Sequence, residues 1–153
     1  MSDHKEKLYD SKLKSMALVT MILLLIQIIL GTQVRQQIDD ISKAMNFMHR
    51  DEWISKLNTI FYIHRTFSII IAAFCIYLFI QYRFSNHFKL SNALILFSVV
   101  GNILLGFIMA SMNIPAFAQP AHLMLSSILL TAIFYNWSNT ESVHSVNPSL
   151  SKY

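Results

Sequence analysis

The chain has 153 residues, of which 54% are hydrophobic and only 13% charged, with a formal net charge of +4. Soluble domains carry roughly 25% charged residues, and a soluble fold of this length has no interior large enough for so much apolar surface. A water-soluble fold is thereby excluded, and the lone cysteine, Cys75, excludes an internal disulfide and a thiolate metal cluster.

In chain order, residues 1–14 read as a polar arm carrying Lys5, Lys7, Lys12 and Lys14. From Ser15 to Val34 there is no Asp, Glu, Lys or Arg. An uncharged apolar run of about 18 residues or more reads as a membrane span. This first span, 15–34, is too long in its apolar stretch for a cleaved leader, and no small-residue cleavage site follows it. Residues 35–56 form the one sizeable loop, RQQIDDISKAMNFMHRDEWISK. Its Ile38, Ile41, Met45 and Met48 recur at i, i+3 and i+4, which predicts a short amphipathic helix lying on the membrane surface.

The second span is read at 57–82, with Thr66 to Tyr82 free of charge. The uncharged run from Leu90 to Thr140 is 51 residues long, enough for two spans. It breaks at MNIPAFAQP, where Pro115 and Pro120 flank a turn. That gives spans at 90–112 and 118–137, and a Ser- and Asn-rich tail, 138–153, that reads as disordered. Trp53 and Trp137 fall where interfacial aromatic belts are expected. The fold class is therefore an all-α membrane protein, an antiparallel bundle of four transmembrane helices.

Orientation follows from the basic residues. The arm, the 83–89 loop (Arg83, Lys89) and the tail (Lys152) carry seven Lys and Arg, against four on the other side (Arg35, Lys43, Arg50, Lys56). The excess predicts both termini in the cytoplasm, in a multi-pass cell (inner) membrane protein. Basic cytoplasmic flanks account for the net charge, so no nucleic-acid partner is implied.

Two histidines stand inside apolar sequence, His64 in FYIHRTFS and His122 in QPAHLMLS. In an up-down bundle, spans two and four run in the same direction. At about 1.5 Å per residue both histidines lie roughly 6–10 Å below their helix starts, and so reach the same depth. A single histidine near a helix end is commonly a side chain snorkelling to the headgroups. A pair at matched depth suits the two axial ligands of one haem iron, and bundle cores house such cofactors. His4, His49, His87 and His144 lie in tails and loops and read as solvated.

Haem carries carboxylates, and two arginines are placed to meet them. Arg35 ends the first span, where a plain flanking anchor is an equal reading. Arg65 follows His64 about one turn inside the membrane, where a cation needs a partner or water. Gln27 and Asn102 read as hydrogen bonds across helices. Gly31, Gly101 and Gly106 admit a close approach of either a neighbouring helix or a flat macrocycle. Phe61, Tyr62 and Phe67 surround His64 as pocket lining or ordinary core. Cys75 reads as a small core residue.

The segments LIQIILGTQVRQQID, FYIHRTFS and IPAFAQPAHLMLSSIL together resemble the haem A synthase family, over roughly residues 16–136. The most specific pieces are Gly31 to Arg35, His64-Arg65 and Gln119 to His122. Family members are typically built of two similar four-helix halves, each with a histidine pair on its second and fourth spans; the pair here corresponds to His64 and His122. The resemblance implies oxidation of a methyl group of haem O to the formyl of haem A, for cytochrome oxidase.

Three departures refine it. The chain has half the family's length. Phe61 stands where the reacting half carries the glutamate of E-x-x-H-R. The cysteine pair of that half's first loop is missing. All three match the C-terminal half, which is the one implied to hold haem B as cofactor. No catalytic residue is assigned; Asp39, Asp40, Asp51 and Glu52 read as solvated loop charges.

The expectation is a haem-B protein with His64 and His122 as iron ligands and Arg65 and Arg35 as further haem contacts, acting as the electron-transfer half of an oxidoreductase. Its implied partners are lipid, haem, a second half-size chain or a second copy, and haem O synthase or cytochrome oxidase. One alternative is a non-catalytic haem carrier or oxidase-assembly factor of the same fold, since fold alone does not carry activity. Another is a cofactor-free tetraspan such as a transporter subunit. That reading leaves His64, Arg65 and His122 unexplained, and the spans hold no Asp or Glu for proton coupling.

Overall fold

The computed structural model describes residues 2–83 and 88–140, with side chains from residue 11 onward. The tail from 141, His87 and the side chains of His4, Lys5 and Lys7 lie outside the described residues, as does His144. Four α-helices make up nearly all of it: α1 (Ser2–Ala44), α2 (Thr59–Tyr82), α3 (Lys89–Ser111) and α4 (Ala118–Asn139), with two short 3-10 turns at Arg50–Glu52 and Ile54–Lys56. Among the described residues there is no strand. All four helices are long and apolar enough to cross a membrane.

The spans match these helices except at the ends of α1 and α4. The polar arm is part of α1, a helix of 43 residues that passes through the first span and continues to Ala44. No proline interrupts it, and Gly31 alone does not break a helix whose other residues favour one. The segment expected to lie on the membrane surface is therefore the end of α1. Its apolar stripe is real but finds a different partner. Ile38 is buried with Val34, Trp53, Leu57 and Ile114, and Ile41 and Met45 pack against them, while Met48 stays exposed. Trp53 is 6% exposed, and its indole N–H donates to the Met48 carbonyl at 3.0 Å. Trp137 stays half-buried, with the Lys14 ammonium 5.5 Å above its ring. At the other terminus α4 runs on to Asn139, and Thr140 is buried.

Two asparagines stop helices. Asn46 (φ 50°) ends α1 and Asn113 (φ 55°) follows α3, both in the left-handed region that asparagine tolerates. The Phe47 N–H then closes onto the Ser42 carbonyl, and the Ile114 N–H onto Met109. Ile114 also has φ 55°, a strained state for a β-branched residue at about 1–3 kcal/mol. Its burial in the apolar cluster holds it there, and the Arg50 guanidinium donates to its carbonyl. Arg50 also lies 5.2 Å from the centre of the Trp53 ring. It thus straps the 45–58 connection to the 112–117 turn. Arg50→Ala is expected to lower stability by about 1–3 kcal/mol, read as an unfolding midpoint in mixed micelles. Arg50→Lys should recover only part, since an ammonium lacks the flat fork.

Each helix packs mainly on two neighbours, α1 on α2 and α4, and α3 on α4 and α2. This leaves α2 and α4 facing across one diagonal. A main apolar cluster is built on residues three and four apart, such as Ala17, Met21 and Leu24 on α1 and Ile71, Cys75 and Leu78 on α2. Beyond it the helices are pinned by buried polar groups. The Ser91 hydroxyl donates to Asn136 Oδ1, Asn92 Nδ2 to the Phe79 carbonyl at 2.9 Å, and Tyr82 bonds Thr140 at 2.9 Å. The outward faces carry large hydrophobics such as Ile29, Ile69, Phe97 and Phe107, each more than half exposed. Lipid is the solvent that such faces fit.

Candidate functional site

The layer between the main cluster and the smaller cluster around Trp53 holds the polar groups of the middle of the bundle. On α1, Gln27 and Gly31 lie one helical turn apart, after Leu24 and before Val34. On α2, His64 follows Phe61 of the smaller cluster and precedes Phe67 of the main one. On α4, His122 sits one turn past Ala118, where Pro120 occupies the first turn, a place where a missing N–H breaks no helical bond.

The structure brings His64 and His122 together across the α2–α4 diagonal. Their ring centroids are 6.4 Å apart, with planes inclined at 63°. Both residues are half-buried, and the Nδ1 atom of each is buried with no hydrogen-bond partner. Imidazole–metal bonds run about 2.0–2.1 Å, and a ring centre lies about 1.1 Å beyond its nitrogen, so two imidazoles on one metal have centres about 6–6.5 Å apart. The observed spacing is of that size. Among the described residues no group of three or more His, Cys, Asp or Glu gathers anywhere. A bare zinc-type ion needs about four protein ligands. A macrocycle that brings four of its own needs only two, and two imidazoles are what the bundle offers.

Each histidine is held by its neighbouring helix. The Gln27 side chain, itself buried, donates from Nε2 to the His64 carbonyl at 2.9 Å. The Gln27 backbone lies beside the His64 ring, and the Asn102 backbone beside that of His122. On α4 the Ser126 hydroxyl donates to the His122 carbonyl at 2.9 Å and lies 3.3 Å from Asn102 Oδ1. Gln27 and Asn102 thus do bond across helices, Gln27 directly to the His64 carbonyl and Asn102 to Ser126, whose hydroxyl also reaches the His122 carbonyl. The glycines separate. Gly31 faces the His64 ring, Gly101 faces Leu125, and Gly106 borders open space.

The arginines and aromatics divide as well. Arg65 is exposed and has no side-chain partner among the described residues. Arg35 is about half exposed and grips Asp39 through Nε at 3.1 and 3.2 Å, so it faces its own helix rather than the histidines. Lys56 pairs with Glu52 in the same i, i+4 manner at 3.5 Å. Phe61 and Phe67 belong to the two clusters, whereas Tyr62 is 58% exposed. The buried Ser91–Asn136 bond was not singled out from sequence. Its signal was present, since Ser91 and Ser98, and likewise Asn136 and Thr140, recur at helical spacing on otherwise apolar helices.

The family model described as COX15-CtaA, cytochrome oxidase assembly protein, matches residues 2–134, nearly the whole of the described bundle. Comparison with curated proteins and with solved structures returns no match. The resemblance carried by the Gly31–Arg35, His64-Arg65 and Gln119–His122 segments is the same family, and it ties a multi-pass helical membrane protein to the assembly of cytochrome oxidase. The chain belongs to the COX15-CtaA cytochrome oxidase assembly family, the family of haem A synthase.

Proposed function

We propose that this chain holds a haem between His64 and His122 and serves as the cofactor half in the oxidation of haem O to haem A. The observation that carries the reading is the 6.4 Å spacing of the two imidazoles across the bundle, in a layer with no third protein ligand among the described residues. The two unpartnered, buried Nδ1 atoms support it, since a buried ring nitrogen without a partner is unfavourable unless an occupant engages the ring.

Haem bound there supplies one-electron transfer. The chain's residues do the rest. His64 and His122, on opposite helices, would hold the haem iron. The apolar clusters on either side keep water from the pair. Arg65, next to His64 and without a side-chain partner among the described residues, offers a forked cation to a haem carboxylate. Arg35 serves the same end only by giving up Asp39. Phe61 packs in the smaller apolar cluster, three residues before His64, so the chain offers no carboxylate there for substrate chemistry. We therefore assign haem B, and place the reacting half in a second, different chain.

In this reading the helices alternate in direction, as an antiparallel bundle with both termini in the cytoplasm and the histidine layer nearer the outer face of the cell membrane. The Lys and Arg excess on the arm and on the 83–89 loop supports that orientation. A haem carrier that assists oxidase assembly without turnover is the second reading, favoured by Phe61.

The test is to purify the full chain in detergent and record its absorption spectrum in both oxidation states. A six-coordinate, low-spin haem spectrum, with haem B on pigment extraction, is expected. A protein that stays colourless after incubation with haem B sinks the reading; extraction of haem O or A moves the chain to the substrate-holding role.

A further inference from the structure

A histidine ligand needs more than reach. Its ring must be held in one orientation and one tautomer, and metal-bound imidazoles ordinarily donate their second N–H to a carbonyl or carboxylate. In a bundle of apolar helices such acceptors are scarce, because helical carbonyls are committed to the N–H four residues on and are shielded by side chains around them.

On α1 that shielding is missing at one place. A Cβ built on Gly31 would lie 3.1 Å from His64 Cε1, 3.7 Å from Nδ1 and 3.9 Å from Nε2. A helical side chain covers the turn before its own Cα. At Gly31 that turn is the one that begins at Gln27, whose carbonyl is the helical partner of the Gly31 N–H. With no side chain at 31, the imidazole rests on α1 beside the Gln27 backbone. The Gln27 side chain, 8% exposed, reaches across at the same level and takes the His64 carbonyl at 2.9 Å. One residue pair, a turn apart, thus holds both the backbone and the ring of the same histidine.

We propose that Gly31 and Gln27 are positioning residues, a seat on α1 that fixes the ring orientation of His64 as a haem ligand. The proposal rests on the haem reading for its purpose, but the seat exists in the haem-free chain. Gly31 is the limiting element. A methyl group there meets the ring at a distance that only a few real contacts reach, so the ring must give by a few tenths of an ångström. Gly106 provides the matched comparison, because a Cβ there meets nothing within 4 Å.

The experiment uses the full chain in detergent, wild type beside Gly31→Ala, Gln27→Leu and Gly106→Ala. In the haem-free protein, nitrogen NMR of labelled histidine should give His64 one set of ring resonances, the same in wild type and in Gly106→Ala, and shifted or multiple resonances in Gly31→Ala. In protein loaded with haem B, Gly31→Ala and Gln27→Leu should release haem to an acceptor globin about 10–100-fold faster than wild type, with altered low-spin electron paramagnetic resonance, while Gly106→Ala behaves as wild type. If Gly31→Ala does not fold, Gln27→Leu still carries the haem-release measurement. Wild-type release rates, paramagnetic resonance and ring nitrogen resonances in both Gly31→Ala and Gln27→Leu would overturn the seat. A wild-type chain that takes up no haem, while Gly31→Ala still changes the His64 ring resonances, overturns the haem reading and leaves the seat standing.

Discussion

Replacing His64 or His122 with alanine is expected to abolish low-spin haem in the purified protein. The two rings meet in this layer, and among the described residues no cysteine, aspartate or glutamate gathers beside them to take over. With one imidazole gone the iron keeps a single protein ligand, so the spectrum turns high-spin and retention falls by more than the roughly 10–100-fold that loss of a merely supporting contact brings. With both gone, no axial ligand remains. The glycine variants sharpen the measurement. Free imidazole added to His64→Gly or His122→Gly should restore the low-spin spectrum, because it refills the ligand position without restoring the chain. A low-spin spectrum in both alanine variants would dismiss the pair as ligands. This separates a ligand role from snorkelling, the bland reading of a histidine near a helix end, which predicts no spectral change at all.

The second large effect is expected at Gly101, where α3 meets α4. A Cβ there would come 2.5 Å from Leu125 Cδ1. Leu125 is 7% exposed and stands three residues after His122, so it has little room to yield. Overpacking of this kind destabilises by about 1–3 kcal/mol. Gly101→Ala should therefore lower the unfolding midpoint in mixed micelles. It should also disturb the haem spectrum more than a surface change of equal stability, since the displaced helix carries His122. Leu125→Ala removes the obstructing methyl and should rescue Gly101→Ala in a double-mutant cycle, with a coupling energy of roughly 0.5–3 kcal/mol. Simple additivity of the two variants would refute the contact. The Ser91–Asn136 bond, about three turns away on the same pair of helices, should be insensitive to the change.

Several elements were legible from residues alone. The runs free of charge located all four helices, because the bilayer tolerates only long apolar segments with satisfied backbones. The two histidines stood out because each interrupts such a run. The segment 35–56 shows the limit. Its apolar rhythm at Ile38, Ile41 and Met45 marked a helical face correctly, but periodicity names a face and not its partner. In place of the headgroup surface that partner is Trp53 and Ile114, delivered by two connections distant in sequence. Both arginines were read as haem contacts, Arg35 equally as a flanking anchor and Arg65 for its depth in the span. An aspartate one turn further along α1 occupies the first, while the second is left without a side-chain partner among the described residues.

The glycines make the same point. Gly31, Gly101 and Gly106 are indistinguishable in sequence, each a small residue in an apolar helix. In the bundle one faces an imidazole, one a leucine and one open space. Composition and span length determined by themselves that this is a four-helix membrane protein with two intramembrane histidines, and short motifs identified its family. Which residues meet was decided only by the tertiary structure. Contact depends on how far each helix is rotated about its axis and slid along its neighbour. A helix that is apolar on nearly every side carries almost no sequence signal for that rotation, so close packing at Gly31, Gly101 and the Ser91–Asn136 bond sets it instead.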